Sequence, residues 1–181
     1  MLDAFALGDA LTTGPLTLDQ LYASHAQQVL RWAARLGGRW VDAEDVAHDV
    51  FVTAAALLPS LDPEANTLSW LYTLTRNATV NRARRERLRA MWRSLWTRPT
   101  PEPTPDASES LQRAQARRAV HRALERLSGR HREVLVLFEL DGRSGREVAE
   151  LMGLREQYVW VLLHRARAAL ARELESEESK S

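Results

Sequence analysis

Cysteine is absent from the 181-residue chain. That removes disulfide frameworks, thiolate metal sites and cysteine nucleophiles together, and it fits a reducing compartment, so a cytoplasmic protein is expected. Long apolar runs are missing too. Nothing approaches the roughly 20 residues a bilayer span requires, and the first 16 residues carry Asp3 and Asp9 with no basic start, so neither membrane insertion nor export is expected. No segment alternates polar and apolar residues as a half-buried strand would. Lysine supplies one of 25 basic residues, an Arg bias that suits phosphate forks but follows as easily from a GC-rich genome. The five histidines are scattered, none in a His-x-x-x-His pair or clustered with carboxylates, and His48 and His131 read as surface or boundary residues. With no Gly-rich phosphate loop either, neither catalysis nor a cofactor or metal is expected.

The chain does contain an ordinary globular share of apolar and charged residues, 45% and 27%, and its charge is arranged in blocks. The net of +1 hides a first stretch, residues 1 to 69, with 3 Arg against 9 acids. Residues 70 to 93 then hold 7 Arg against Glu86 alone, and residues 111 to 170 hold 12 Arg against 7 acids. A polyanion would meet two separate basic blocks; a basic protein would meet an acidic amino-terminal third.

Four of the seven prolines fall in Arg98-Pro-Thr-Pro-Glu-Pro-Thr-Pro-Asp-Ala-Ser-Glu-Ser110. Alternating prolines fix φ and hold the preceding residues extended, so this segment is expected to be a flexible, polyproline-like spacer. The predicted organisation is an amino-terminal extension over 1–16, a helical lobe over 17–96, the spacer over 97–110, a second helical lobe over 111–176 and an acidic tail over 177–181. The fold class is all-α. In the first lobe, Leu18, Leu21, Tyr22, His25, Val29 and Leu36 recur at helical spacing until Gly37-Gly38. Asp42 is a plausible N-cap for a second helix with Val46, Val50, Phe51 and Leu57 on one stripe. After a loop from Ser60 to Thr67, Leu68, Leu71, Tyr72, Leu74 and Val80 begin a third helix that runs into the Arg block. In the second lobe an Arg-rich helix near 111–127 precedes one with Val134, Leu135, Leu137, Phe138 and Leu140. Asp141-Gly142 turns the chain, and Ser144 with Glu147 forms a capping box for a short helix that stops at Gly153. Ala149, Gly153 and Val159 then sit at helix-turn-helix intervals. Each lobe is small for an independent core, so partners are expected to contribute to stability.

Five strings in this order resemble the sigma factors of the extracytoplasmic-function type, which give bacterial RNA polymerase its promoter specificity. Ala43-Glu-Asp-Val-Ala-His-Asp-Val-Phe51 resembles the family's region 2.2 and Ser69-Trp-Leu-Tyr-Thr-Leu-Thr-Arg-Asn77 its region 2.3. Leu127-Ser-Gly-Arg-His-Arg-Glu-Val-Leu135 and Gly142-Arg-Ser-Gly-Arg-Glu-Val-Ala149 resemble the start of region 4, and His164-Arg-Ala-Arg-Ala-Ala-Leu170 its end. The resemblance implies core RNA polymerase as a partner, through its β′ clamp helices and its β flap, together with promoter DNA. An inhibitory anti-sigma protein is a further candidate partner. It also implies that Asp42, Glu44, Asp45 and Asp49 dock on the clamp, although carboxylates at a helix start also complement the helix dipole without any partner. By the same analogy Asn66 and Thr67 help form a pocket for a flipped minus-ten base. Asn77 and Asn81 offer amides to base edges or backbone, and Arg76, Arg82 and Arg85 follow phosphates. Trp70 reads as core rather than as a stacking platform. Trp92 and Trp96 either extend the core or form a patch that a partner covers.

The last helix departs from the family. Where Thr-Val-Lys-Ser-Arg-Leu is usual, this chain has Tyr158-Val-Trp-Val-Leu-Leu163. A 100° helical projection buries Val159, Leu163, Ala166 and Leu170 and turns Gln157, Val161, His164, Arg165 and Ala168 outward, with Tyr158 and Trp160 on the flanks. Arg143, Arg155, Gln157, Tyr158, Trp160, Val161, His164 and Arg165 are therefore the candidate contacts of this lobe, to DNA or to a protein partner. Two functions stay open: a sigma factor that opens the minus-ten element, or a degenerate sigma-like regulator that binds polymerase or another protein through its second lobe and reads no minus-35 element.

Overall fold

In the computed structural model, residues 16–94 and 111–178 are described, and every regular element among them is helical. The spacer, the amino-terminal extension up to residue 15, residues 179–181 and Trp96 lie outside the described residues. Helix α1 spans Leu18–Gly37, α2 Ala43–Leu57 and α3 Thr67–Ser94; the second lobe follows with α4 Leu111–Arg126, α5 Gly129–Leu135, α6 Gly145–Met152 and α7 Glu156–Glu178.

The helix starts are fixed by side chains. Thr17 and Gln20 make a capping box on α1, Asp42 accepts from the Glu44 and Asp45 amides at 2.9 and 3.2 Å, and Asn66 Oδ1 accepts from the Ser69 amide at 3.0 Å. Each satisfies donors that the first helical turn would otherwise leave orphaned. The expected capping box of Ser144 and Glu147 opens α6. Gly153 ends that helix in the left-handed conformation, φ +62°, which costs glycine alone nothing.

Helices α1 to α3 enclose a core of Leu21, Val29, Ala33, Val46, Val50, Phe51, Ala54 and Leu71, with Trp70 partly buried against it. Four apolar residues placed on the expected stripes are exposed instead: Leu18, in the first turn of α1, Tyr22, Leu57 and Val80. Tyr22 lies against the Phe51 ring, and Leu57 belongs to the last turn of α2, beyond Ala54. Val80 is displaced because the buried face of α3 runs through Leu71, Tyr72, Thr75, Thr79 and Ala83, which puts residue 80 about 100° round the helix. The two core threonines donate their hydroxyls to the carbonyls of Leu71 and Thr75 at 2.8 and 2.6 Å, which removes the cost of burying them.

The second lobe is not built from two plain helices before its turn. α5 passes into a π-helical segment, Val136–Leu140, closed by the Asp141 amide on the Val136 carbonyl at 2.9 Å. Val134 to Leu137, Val148, Ala149, Leu151, Val159, Leu162, Leu163 and Ala166 pack as its core. That core does not stop at the lobe's edge. It takes in Trp32 and Leu36 of α1 and Tyr72 of α3, with the Trp32 and Tyr72 rings edge to face at 5.1 Å. Each lobe was expected to be small for an independent core, and each covers apolar surface of the other. Among the described residues, no helix is long and apolar enough to cross a membrane.

Candidate nucleic-acid interface

The acidic cluster sits at the start of α2, a position set by Asp42 as cap and by Glu44 and Asp45 in the first turn. Asp45 and Asp49 are one turn apart and share a face. The guanidinium of Arg82, from α3, reaches across and binds both: its Nη1 lies 3.1 Å from Asp49 Oδ2, and its Nη2 contacts Asp45. The residues expected at the polymerase clamp and one expected at DNA are thus joined to each other. Both carboxylates remain more than half exposed, so the pairing is weak and exchangeable.

Along α3 the expected DNA residues fall into two groups. Asn77, Asn81 and Arg85 are exposed and lie near one another at helical spacing. Arg76 is shared between that group and the second lobe. Its Nη1 donates to Asn77 Oδ1 at 3.3 Å and its Nε to Glu133 Oε2 of α5 at 2.8 Å, and the pairing with Glu133 holds the guanidinium pKa above its ordinary value. Glu133 is only 4% exposed. Asn66 and Thr67 lie at the opposite end of the helix, about 15 Å up the axis from Asn77 at 1.5 Å per residue. Leu88, Met91 and Trp92 are exposed on its last turns, which makes Trp92 surface rather than core extension.

In the second lobe Arg155, Gln157, His164 and Arg165 are exposed, as are Tyr158, Trp160 and Val161 at 43%, 47% and 45%. Arg143 is held back, its Nη1 on Glu147 Oε1 at 3.0 Å and its side chain 11% exposed. Glu147 accepts from the backbone and hydroxyl of Ser144 and from Arg143, which holds its carboxyl below the usual range. Trp160 is a wedge as well as a surface. Its ring lies edge to face with Phe138 at 5.5 Å and so close over Gly145 that a Cβ there would stand 2.6 Å from Cζ2. Arg167 also stands over the Phe138 ring, at 5.7 Å, and pairs with Glu139 at 2.6 Å.

Sequence reasoning missed the residues that join the lobes. Asp141, read only as a turn former, accepts from Trp32 Nε1 at 2.7 Å and Gln28 Nε2 at 3.0 Å and pairs with Arg35. Arg132 donates to the carbonyls of Leu124, Leu127 and Glu125 at the end of α4 and to that of Leu36 at the end of α1. Burial lowers its pKa, and Arg87 adds to the effect. These carbonyls are the orphaned acceptors of two helix termini, and one planar cation serves both. An Asp-Gly pair and an Arg among other Arg carry no signal of such roles.

Models of two sigma-70 regions match the chain, region 2 over residues 21–89 and region 4 over 117–170. The chain is 28% identical to the RNA polymerase sigma factor YlaC of Bacillus subtilis over 159 residues, 87% of this chain and 92% of that protein. It is 26% identical to the ferric citrate uptake sigma factor FecI of Escherichia coli over 80% of this chain and 83% of that one. Among solved structures, CnrH in complex with the cytosolic domain of CnrY superimposes with a TM-score of 0.61 at 27% identity, covering 88% of each chain. The two lobes are therefore those of the sigma-70 family, the promoter-directing initiation factors of RNA polymerase. Within that family the chain belongs to the extracytoplasmic-function sigma factors.

Proposed function

We propose that residues 17–96 bind the polymerase clamp and open the minus-ten element, that 97–110 is a spacer, and that 111–176 form a second contact to DNA or to a protein. The observation that supports this best is the exposed row of Asn77, Asn81 and Arg85 on α3, beside an acidic face on α2 whose Asp45 and Asp49 pair exchangeably with Arg82. In this reading Asp42, Glu44, Asp45 and Asp49 meet basic residues of the β′ clamp. Asn66 and Thr67 hold an unstacked base, Asn77 and Asn81 bond base edges or backbone, and Arg76, Arg82 and Arg85 neutralise phosphates. Opening draws on binding energy and needs no covalent step, so the protein works without catalysis of its own, in the cytoplasm, where its polymerase is. The β flap and an anti-sigma protein are its further partners; CnrH, a relative, is bound to the cytosolic domain of CnrY. Run-off transcription with purified core polymerase tests the reading, and a chain that gives no promoter-specific transcript fails it.

Tyr158, Trp160 and Val161 support a second reading for the carboxy-terminal lobe. Three half-exposed apolar side chains where polar base readers are usual suit a protein surface or contacts to thymine methyls more than conventional minus-35 reading.

A further inference from the structure

We propose that the open cleft between α3 and the second lobe is a binding site for a small phosphorylated ligand of mononucleotide type, a phosphate joined through a hydroxylated sugar to a planar base. The cleft has a volume of about 420 Å³, within the range of about 300–1,000 Å³ usual for small-molecule sites. The first half of α3 supplies one wall, and the start of α5 with the end of α6 supplies the other.

The charges of the walls do not cancel. Glu133 engages Arg76 at 2.8 Å, and Glu150 engages Arg146, which does not line the cleft, at 3.2 Å. Arg130 is left over: it is exposed, and its guanidinium makes no hydrogen bond or ion pair with any described residue. The excess is one positive charge between two planar guanidinium groups, Arg76 on one wall and Arg130 on the other, an arrangement that takes a phosphate through charge-assisted forks. Two further polar atoms of lining residues, Tyr72 Oη and Glu133 Oε1, are buried with no protein partner. A ligand hydroxyl that reaches them exchanges two unsatisfied groups for hydrogen bonds.

The rest of the lining fits a sugar and a base. Thr73 Oγ1 donates to the Ser69 carbonyl at 2.9 Å and Ser69 Oγ to the Glu150 carbonyl at 3.3 Å. Each hydroxyl has thus committed its proton and offers lone pairs to the hydroxyls of a sugar. Trp70, Leu151 and Met152 add apolar surface, with Trp70 and Met152 only partly buried. A planar base covers such surface and can stack on the indole, whatever its hydrogen-bonding edge. An inorganic anion would use only the guanidinium side of the cleft and an apolar molecule only the other; a mononucleotide uses both.

Titration calorimetry on the full chain, with AMP and GMP as probes, should show saturable one-to-one binding, and the amide NMR shifts that accompany it should centre on Ser69, Thr73, Arg130 and Met152. Adenosine and inorganic phosphate should each bind at least tenfold more weakly than AMP. Arg130→Ala removes an exposed cation and Thr73→Phe fills the cleft from an exposed position; each should keep the parent's helix content and weaken AMP binding at least tenfold. Absence of binding by either mononucleotide at millimolar concentration overturns the proposal. So does adenosine or inorganic phosphate binding as tightly as AMP, or either variant binding AMP with the parent's affinity. A single-stranded oligonucleotide that shifts the same amides where the mononucleotides do not also overturns it, because the phosphate recognised is then that of nucleic acid. Neither polymerase nor promoter enters the measurement, so its failure leaves the transcription reading standing.

Discussion

Helices α3 and α7 are the two long helices assigned to recognition, and they solve the same packing problem with opposite surfaces. α3 buries threonines and exposes Asn77, Asn81 and Arg85; α7 buries Val159, Leu162, Leu163 and Ala166 and exposes Tyr158, Trp160 and Val161. On α3 the polar groups available to a ligand are held by weak, exchangeable pairs or by none that restrict them, so its function is limited by access. On α7 the most conspicuous side chain, Trp160, is already spent in part on Phe138 and Gly145. An apolar residue on a recognition helix can therefore be structural and exposed at once. Part of the departure from the family's usual sequence is explained by packing rather than by binding.

The sharpest way to test that contrast is at Gly145. Gly145→Ala places a Cβ against the Trp160 ring and should destabilise the second lobe by about 1–3 kcal/mol, the usual cost of overpacking, read as a shift in the urea midpoint. Adding Trp160→Ala should recover part of the loss, and strict additivity in the double-mutant cycle would show that the wedge contributes nothing.

A smaller effect on stability, with a large one on function, is expected on α3. Asn77→Ala with Arg82→Ala should leave the urea midpoint within about 1 kcal/mol of the parent, since Asn77 is exposed and the carboxylates Arg82 pairs with are more than half exposed. Permanganate reactivity of promoter thymines should nonetheless drop several-fold at equal polymerase binding. Normal reactivity would remove these residues from the opening step.

On the neighbouring face, reversing the charge of Asp45 and Asp49 together should weaken core polymerase binding with little change in helix content. It also strands Arg82 beside two like charges, a cost of about 1 kcal/mol or less at such exposure. Unchanged affinity in a titration would undo the clamp assignment.

Val161→Lys and replacement of thymine by uracil in the upstream element separate DNA from protein contact on α7. If DNA covers the patch, both change promoter binding; if protein covers it, both leave DNA binding alone and the substitution weakens a protein partner.

The mildest effect concerns acid. Glu147 has a folded pKa below its unfolded value because Ser144 and Arg143 bond its charged form. Its contribution is therefore present above the ordinary carboxylate range and lost as pH falls through and below it. Glu147→Gln should flatten the decline of second-lobe stability below about pH 4.5 and matter little near neutrality; an unchanged acid profile would refute the linkage.

Much of this was legible in the chain. Helix starts at Asp42 and Ser144, the stop at Gly153, the helix-turn-helix spacing and the outward face of α7 are local: each depends on a cap, a positive φ or a 3.6-residue period within a dozen residues. Resemblance supplied the family and the roles expected of the acidic and basic blocks. Partners distant in sequence were not legible. Trp32 and Asp141 are 109 residues apart, and Arg76 meets Glu133 across the whole spacer, so no periodicity relates them. The same limit hid the burial of Thr75 and Thr79, whose hydroxyls are satisfied by their own helix only once its core face is chosen by its neighbours. Local pattern fixed the elements because caps and periodicity act within a turn or two. Tertiary structure alone decided which charged groups are spent on the joint between the lobes and which remain free to bind, because that depends on which surfaces two incomplete cores bury against each other.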